Sequence, residues 1–203
     1  MSNAAAEKVF LGTLVGLLLA ACASSPPVPD DHYYRLTTVQ PEQSNVSPKF
    51  KGVLKVDPVK AYGIYRERAL LYSRSEHPEE LQQHRYHYWI DTPSRLIRDQ
   101  LVDFLRASQI AESVAGSQLQ VQGDLKLKLS LKQFERVIEK SAAHRVRVTL
   151  EALLIASDGK QLMTKRYQRE LATSDPSMPS SVRAFNLALH EIFGDLLKDL
   201  QTL

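Results

Sequence analysis

An α+β fold is predicted: a mainly antiparallel sheet with two helices packed on one face, its elements running strands, helix, strands, helix. Three observations predict it. Leu125, Leu127, Leu129 and Leu131 alternate with Lys126, Lys128, Ser130 and Lys132. Asp158-Gly159 separates two further strand-like runs. Two segments, one opening at Pro93 and one following Pro179, repeat apolar residues at helical spacing. A period of two gives one apolar and one wet face, as in an antiparallel strand open to water on one side. A spacing of three and four gives an apolar stripe, and grouped strands interrupted by helices indicate α+β.

The elements follow in order. Tyr33-Tyr34-Arg35-Leu36-Thr37 is rich in residues that suit a pleated, half-buried surface. Residues 40–49 are polar and contain Pro41 and Pro48, which marks a loop. Residues 52–59 form a second strand ending near Pro58, and residues 69–73 a third. The segment 76–80 is a charged turn, and residues 83–89 return as a fourth strand. Thr92 is the N-cap of the first helix, with Pro93 at the position where a missing N–H costs nothing. Leu96, Ile97, Leu101, Phe104 and Leu105 form its apolar stripe. After the Leu125 strand, Val146, Val148 and Leu150 alternate with Arg145, Arg147, Thr149 and Glu151. Asp-Gly at 158–159 is the favoured two-residue hairpin step, and residues 162–171 are the last strand. The final helix carries Phe185, Leu189, Ile192, Phe193, Leu196, Leu197 and Leu200 on one stripe.

The N-terminus is an address. Residues 9–21 carry no charge and are too short for a comfortable membrane span. They end in Leu19-Ala20-Ala21-Cys22, where Ala20 and Ala21 are the small residues that precede a signal-peptidase cut. The pattern resembles a bacterial lipobox. Residues 1–21 are then a lipoprotein signal peptide, and Cys22 carries a covalent diacylglycerol and acyl (palmitate-type) lipid. Residues 22–31 are a Pro- and Ser-rich linker, and residues 32–203 are a single α+β domain. Ala23, rather than Asp, after the lipidated cysteine favours the outer membrane, with the domain on its periplasmic face.

Composition removes several function classes. Cys22 is the single cysteine, so the domain has no thiol nucleophile and no Cys-based zinc site. The net charge of +3 is that of a solvated surface and does not indicate nucleic-acid binding. There is no glycine-rich phosphate loop, Gly-x-Ser-x-Gly elbow or His-Glu-x-x-His helix. His84 and His87, three apart on a strand, point to opposite faces and do not form a metal pair. The chain reads as a non-enzyme with no catalytic residue, metal or cofactor beyond its lipid.

Two groups of residues suggest contacts. Tyr62, Tyr65, Arg66 and Arg68 lie in or beside a glycine-containing loop and are of the types enriched at interface hot spots. Tyr88 and Trp89 are at least as well explained as core. Lys126 and Lys128 with Arg145 and Arg147 form a basic strand face if their strands pair, suited to an acidic partner or lipid head groups. Lysine on a strand also serves simply to discourage edge pairing.

Several motifs occur together. Tyr33-Tyr34-Arg35-Leu36 follows the lipobox, Asp57-Pro58-Val59 precedes Tyr62-Gly63-Ile64-Tyr65-Arg66 and Leu70-Leu71-Tyr72, and Trp89-Ile90-Asp91-Thr92-Pro93 leads into a helix with Leu96-Ile97 and Leu101. In this order they resemble the ABC-type transport auxiliary lipoprotein family, over nearly all of residues 32–203. Ile90-Asp91-Thr92 departs from the family's more usual Ala, acidic residue and Pro. The resemblance implies an accessory of an ABC/MCE-type system moving lipids or hydrophobic compounds between membranes. It also implies an MCE-domain protein and ABC or other permease components as partners, and assembly as a homo-oligomeric ring. The alternative, a lipoprotein that binds a lipid or ligand on its own, predicts a deep apolar pocket between helices and sheet.

Overall fold

The structure, a computed structural model, describes residues 28–37, 41, 47–116, 123–140 and 144–203. The predicted signal peptide 1–21, Cys22 and residues 23–27 of the predicted linker lie outside the described residues, as does much of the predicted 40–49 loop. Asp31–Leu203 forms one compact unit.

The strands are β1 (His32–Tyr34), β2 (Phe50–Val56), β3 (Lys60–Ala61), β4 (Ala69–Arg74), β5 (His77–Trp89), β6 (Ala111–Gly116), β7 (Leu125–Ile138), β8 (Arg145–Ala156) and β9 (Gln161–Ala172). The helices are α1 (Pro93–Ala107) and α2 (Met178–Thr202), and a 3-10 turn covers Gly63–Arg66. β7 is the axis of the sheet. Along one edge it pairs antiparallel with β8, from Leu125↔Ala156 to Val137↔Arg145. Along the other it pairs parallel, in chain order, with β2 (Leu54↔Leu125), β3 (Lys60↔Ser130) and β4 (Leu71↔Glu135). β6 flanks β2, β5 flanks β4, β1 flanks β5 and β9 flanks β8.

The sheet is therefore mixed, not mainly antiparallel: five of the eight pairings among the described residues are parallel. Alternation reports a wet face and a dry face but not strand direction. Direction follows from the connections. A parallel neighbour needs a long crossover, and the segment from β4 to β7 contains α1.

Both helices contribute to one core with the sheet. Trp89, Phe134 and Phe185 interlock with ring centroids 4.4 to 5.5 Å apart. Phe104 of α1 meets Phe193 of α2 at 5.7 Å. Ile97, Leu101, Leu105, Leu127, Leu150, Leu189 and Ile192 complete this layer at 0 to 1 % exposure. Packed rings thus occupy the interface where a stand-alone lipid binder required a pocket. Thr92 is the N-cap of α1 and Pro93 stands in its first turn, but the Thr92 side chain makes no capping bond. Ser177 caps α2, accepting the Ser180 N–H at 3.2 Å. The 157–160 turn closes with Gly159 at φ +88° and the Lys160 N–H donating to Asp158 Oδ1 at 2.8 Å.

Two local readings change. The turn before β5 is shorter than predicted, and the strand already begins at His77. Tyr86 adopts φ +63°, in the left-handed region that bulky residues avoid. Around it the β4–β5 register jumps from Ala69↔Tyr88 to Leu71↔Gln83. This bulge breaks the alternation and brings His84 and His87 together, their rings perpendicular at 6.0 Å.

Candidate partner-binding groove

Between β2 and β3 the chain slips against β7. Val56 is opposite Leu127 and Lys60 is opposite Ser130, so Asp57-Pro58-Val59 spans the place of Lys128 and Leu129. Pro58 has no N–H for a ladder, which suits it to such a break. The Asp57 N–H still donates to Leu127 O at 2.9 Å. The slip opens a mainly apolar cleft of about 470 Å³ lined by Pro58, Val59 and Leu153, with Lys60, Lys128 and Glu151 at its rim. Glu151 is paired with Lys132 at 3.0 Å.

A second cleft, of about 610 Å³, continues from the first. Val59 and Lys60 line both, and Tyr62, Arg66 and Ser94 bound the far side. Tyr62 is 60 % exposed, with Lys132 Nζ 6.0 Å from its ring centroid. The two clefts, joined at Val59 and Lys60, make up a groove that is mainly apolar in its first part and carries the exposed cations Lys60, Arg66 and Lys128. A ring, an arginine and desolvatable apolar surface are the ingredients of an interface hot spot.

The residues singled out from the sequence separate into distinct places. Tyr62, Arg66 and Lys128 are on the groove. Arg68 is on another cleft, of about 290 Å³, with Tyr33 and Tyr88. Its guanidinium lies 5.6 Å from the Tyr33 ring centroid, and its Nε donates to Trp89 O at 3.2 Å. Trp89 itself is core, at 1 % exposure.

Tyr65 turns inward and donates its hydroxyl to Glu135. Glu135, with its side chain 4 % exposed, also accepts from Ser73 Oγ at 3.3 Å and faces Arg147 NH1 at 3.5 Å. Arg147 Nε donates to Glu170 at 3.0 Å, Glu170 pairs with Arg145 at 2.6 Å, and Arg145 Nε reaches Glu139 at 3.0 Å. Burial, then the hydrogen bond to Glu135, pushes the Tyr65 phenol well above its ordinary value. The hydrogen bond from Arg145 is the main cause holding the Glu139 carboxyl below its ordinary value.

The predicted basic face is therefore not a single patch. β7 and β8 do pair, but Lys126 and Lys128 lie opposite Ile155 and Leu153, while Arg147 and Arg145 lie opposite Glu135 and Val137. Seven residues of strand, roughly 23 Å, separate Lys128 from Glu135. The arginines are also committed to carboxylates. Lys126 is exposed beyond the groove.

The sequence reading missed Val59, Lys60, Leu153 and Ser94. Asp57-Pro58 was the available signal for a break, but its place beside β7 depends on register. Among the described residues, no three His, Cys, Asp or Glu side chains are grouped to hold a metal.

The family model for the ABC-type transport auxiliary lipoprotein component matches residues 34–196. Among solved structures, a Xanthomonas campestris protein superposes with a TM-score of 0.72 at 20 % identity, covering 82 % of this chain and 92 % of its own. An uncharacterised protein gives 0.64 at 14 % identity, over 85 % and 99 %. A hypothetical protein from Chlamydia trachomatis gives 0.51 at 7 % identity, over 74 % and 96 %. At these identities the likeness is one of fold. No match was found among curated proteins.

Proposed function

Because the chain belongs to the ABC-type transport auxiliary lipoprotein family, we propose that it is a non-enzymatic outer-membrane lipoprotein serving an ABC/MCE-type intermembrane transport system. Lipidated Cys22 holds it on the periplasmic face. It docks the MCE-domain protein through the groove at Val59 and Lys60, using Tyr62 as anchor and Arg66, Lys60 and Lys128 as the charged rim. The family match over residues 34–196 carries this reading. The groove supports it as a preformed surface, because its rim residues Lys60, Arg66 and Lys128 are exposed on an ordered part of the fold. Ring assembly, which the family likeness implies, would repeat this surface around an axis.

The test is affinity recovery of the native lipidated chain from membranes, alone and as Tyr62→Ala with Arg66→Glu. An MCE-domain or permease component recovered with the parent and lost with the variant is expected. Recovery of neither component with the parent overturns the proposal. Cys22→Ser should abolish lipid labelling, and Ala23→Asp should hold the protein at the inner membrane of an enterobacterial host. Normal labelling of the first, or outer-membrane fractionation of the second, removes the anchoring argument.

A further inference from the structure

The bulge at Tyr86 builds a second feature, away from the groove. β1 is a three-residue strand held to β5 by the register His32↔His87, Tyr33↔Tyr88 and Tyr34↔Trp89. Two of its three side chains, His32 and Tyr34, pack on the His87 imidazole of β5. The His32 and His87 rings stack at 5.2 Å, Tyr34 stacks on His87 at 5.9 Å, and the Tyr34 hydroxyl hydrogen-bonds His87 Nδ1 at 3.0 Å. His84 meets His87 edge-on and packs on Tyr72 at 4.4 Å. Arg136 of β7 faces the cluster and is itself buried, at 6 % exposure, donating one bond to Pro176 O. His84 Nε2 and Arg136 Nε are buried without a hydrogen-bond partner among the described residues.

The charges around these rings have one sign. Arg136, His87 and His144 act on His84; His32 and Arg136 act on His87. The carboxylates nearby are engaged with other groups: Asp175 acts on Arg136 and is held by Ser177, while Glu139 is held by Arg145 and also faces His144. β4 contributes Tyr72, with Arg74 lying 5.9 Å from its ring centroid. A proton on His84 or His87 thus meets other cations.

We propose that β1 is an acid-released latch: protonation of His87 and its edge-on neighbour His84, opposite Arg136, detaches β1 from β5, back to Leu36, which stays in the core. Burial is the first cause lowering both His84, to about 4, and His87. The latched state therefore binds fewer protons than the released one. The latch is tight above the ordinary imidazole range and weakens as pH falls below it, by up to about tenfold per pH unit for each proton taken up. Release adds residues 32–35, roughly 13 Å of extended chain, to the N-terminal tether. That consequence rests on the lipid-anchor reading; the latch does not.

Hydrogen exchange of the full chain, corrected for the intrinsic pH dependence of exchange, tests this at about pH 7.5 and about pH 5. The reporters are the segments 32–36 and 84–90, which include the Ile90 N–H that donates to Tyr34 O at 2.7 Å. Protection there should fall about tenfold or more at the lower pH, while β8 is unchanged. His87→Gln, which keeps a polar side chain that cannot titrate, should remove most of the difference. If that variant does not fold, His32→Gln at an exposed position takes its place and should move release to lower pH. Equal protection of the two segments at both pH values overturns the latch, as does a midpoint unmoved by His32→Gln. Neither result bears on whether Cys22 is lipidated or whether an MCE protein binds.

Discussion

Replacing Tyr65 by Phe removes one oxygen and tests what fixes the floor beneath Tyr62 and Arg66. The hydroxyl donates to Glu135, whose side chain is 4 % exposed and which retains Ser73 Oγ and Arg147 as partners. A hydrogen bond to a charged acceptor contributes about 1.5–3 kcal/mol. The remaining partners keep the carboxylate from being stranded, so a loss of about 2 kcal/mol is expected. In a domain of this size that corresponds to a fall in Tm of about 4–8 °C. Urea unfolding monitored by circular dichroism, with calorimetry on the same samples, measures it. Glu135→Gln and the double variant complete a cycle whose coupling should retain most of the Tyr65→Phe effect. A loss below about 0.5 kcal/mol, or additive single effects, would mean that the 3-10 turn is not pinned through this bond. The groove's position would then need another cause.

Phe185→Ala should cost about 3–5 kcal/mol, because Phe185 is 1 % exposed and packs against Phe134 and Trp89; a cost below half of that in urea unfolding contradicts the packed interface. Gly52→Ala should destabilise by about 1–3 kcal/mol, since Gly52 sits at φ +76° and an added Cβ would overlap the Asp124 carboxylate. Asp124 accepts the Val53 N–H at 2.8 Å, and unchanged stability would show that this corner relaxes freely. Burial first, then hydrogen bonds to Glu135 and Asp199, raises the Tyr65 and Tyr167 phenols above their unfolded value. Their contribution is complete below about pH 10 and is lost as pH rises beyond it, so both should ionise only with unfolding. Reversible ionisation of all eight tyrosines in the folded chain, followed by ultraviolet absorbance, counts against this.

The elements most legible from the sequence were those whose neighbours hardly matter. The Leu125–Leu131 alternation, Pro93 in the first turn of α1, and the Asp158-Gly159 turn each reflect a local preference, and each is found where expected. β6 was missed because Ala111–Gly116 has little intrinsic strand character; it is a strand because β2 lies beside it. Strand direction was misread for a similar reason, being a property of connections. For the candidate site, residue type singled out Tyr62, Arg66 and Lys128, which line the clefts, but could not separate them from Tyr65, Arg145 and Arg147, which do not. That distinction depends on which carboxylates the fold brings alongside, and Glu135 and Glu170 lie far from them in sequence. The His84–His87 contact was hidden because alternation assumes an unbroken strand, and one residue at positive φ removes that assumption.

The row of β2, β3 and β4 along a single edge of β7 also dictates when the domain can form. Leu54 must wait for Leu125, and Leu71 for Glu135, so much of the first half of the chain is made before its shared partner exists. Pairing at such sequence separation closes long loops before it is rewarded, and it slows folding. A chain emerging N-terminus first therefore presents open strand edges until β7 follows, and those edges are templates for aggregation. Folding becomes an event of the nearly complete chain, and any interruption ahead of residue 125 leaves three strands without the one that joins them.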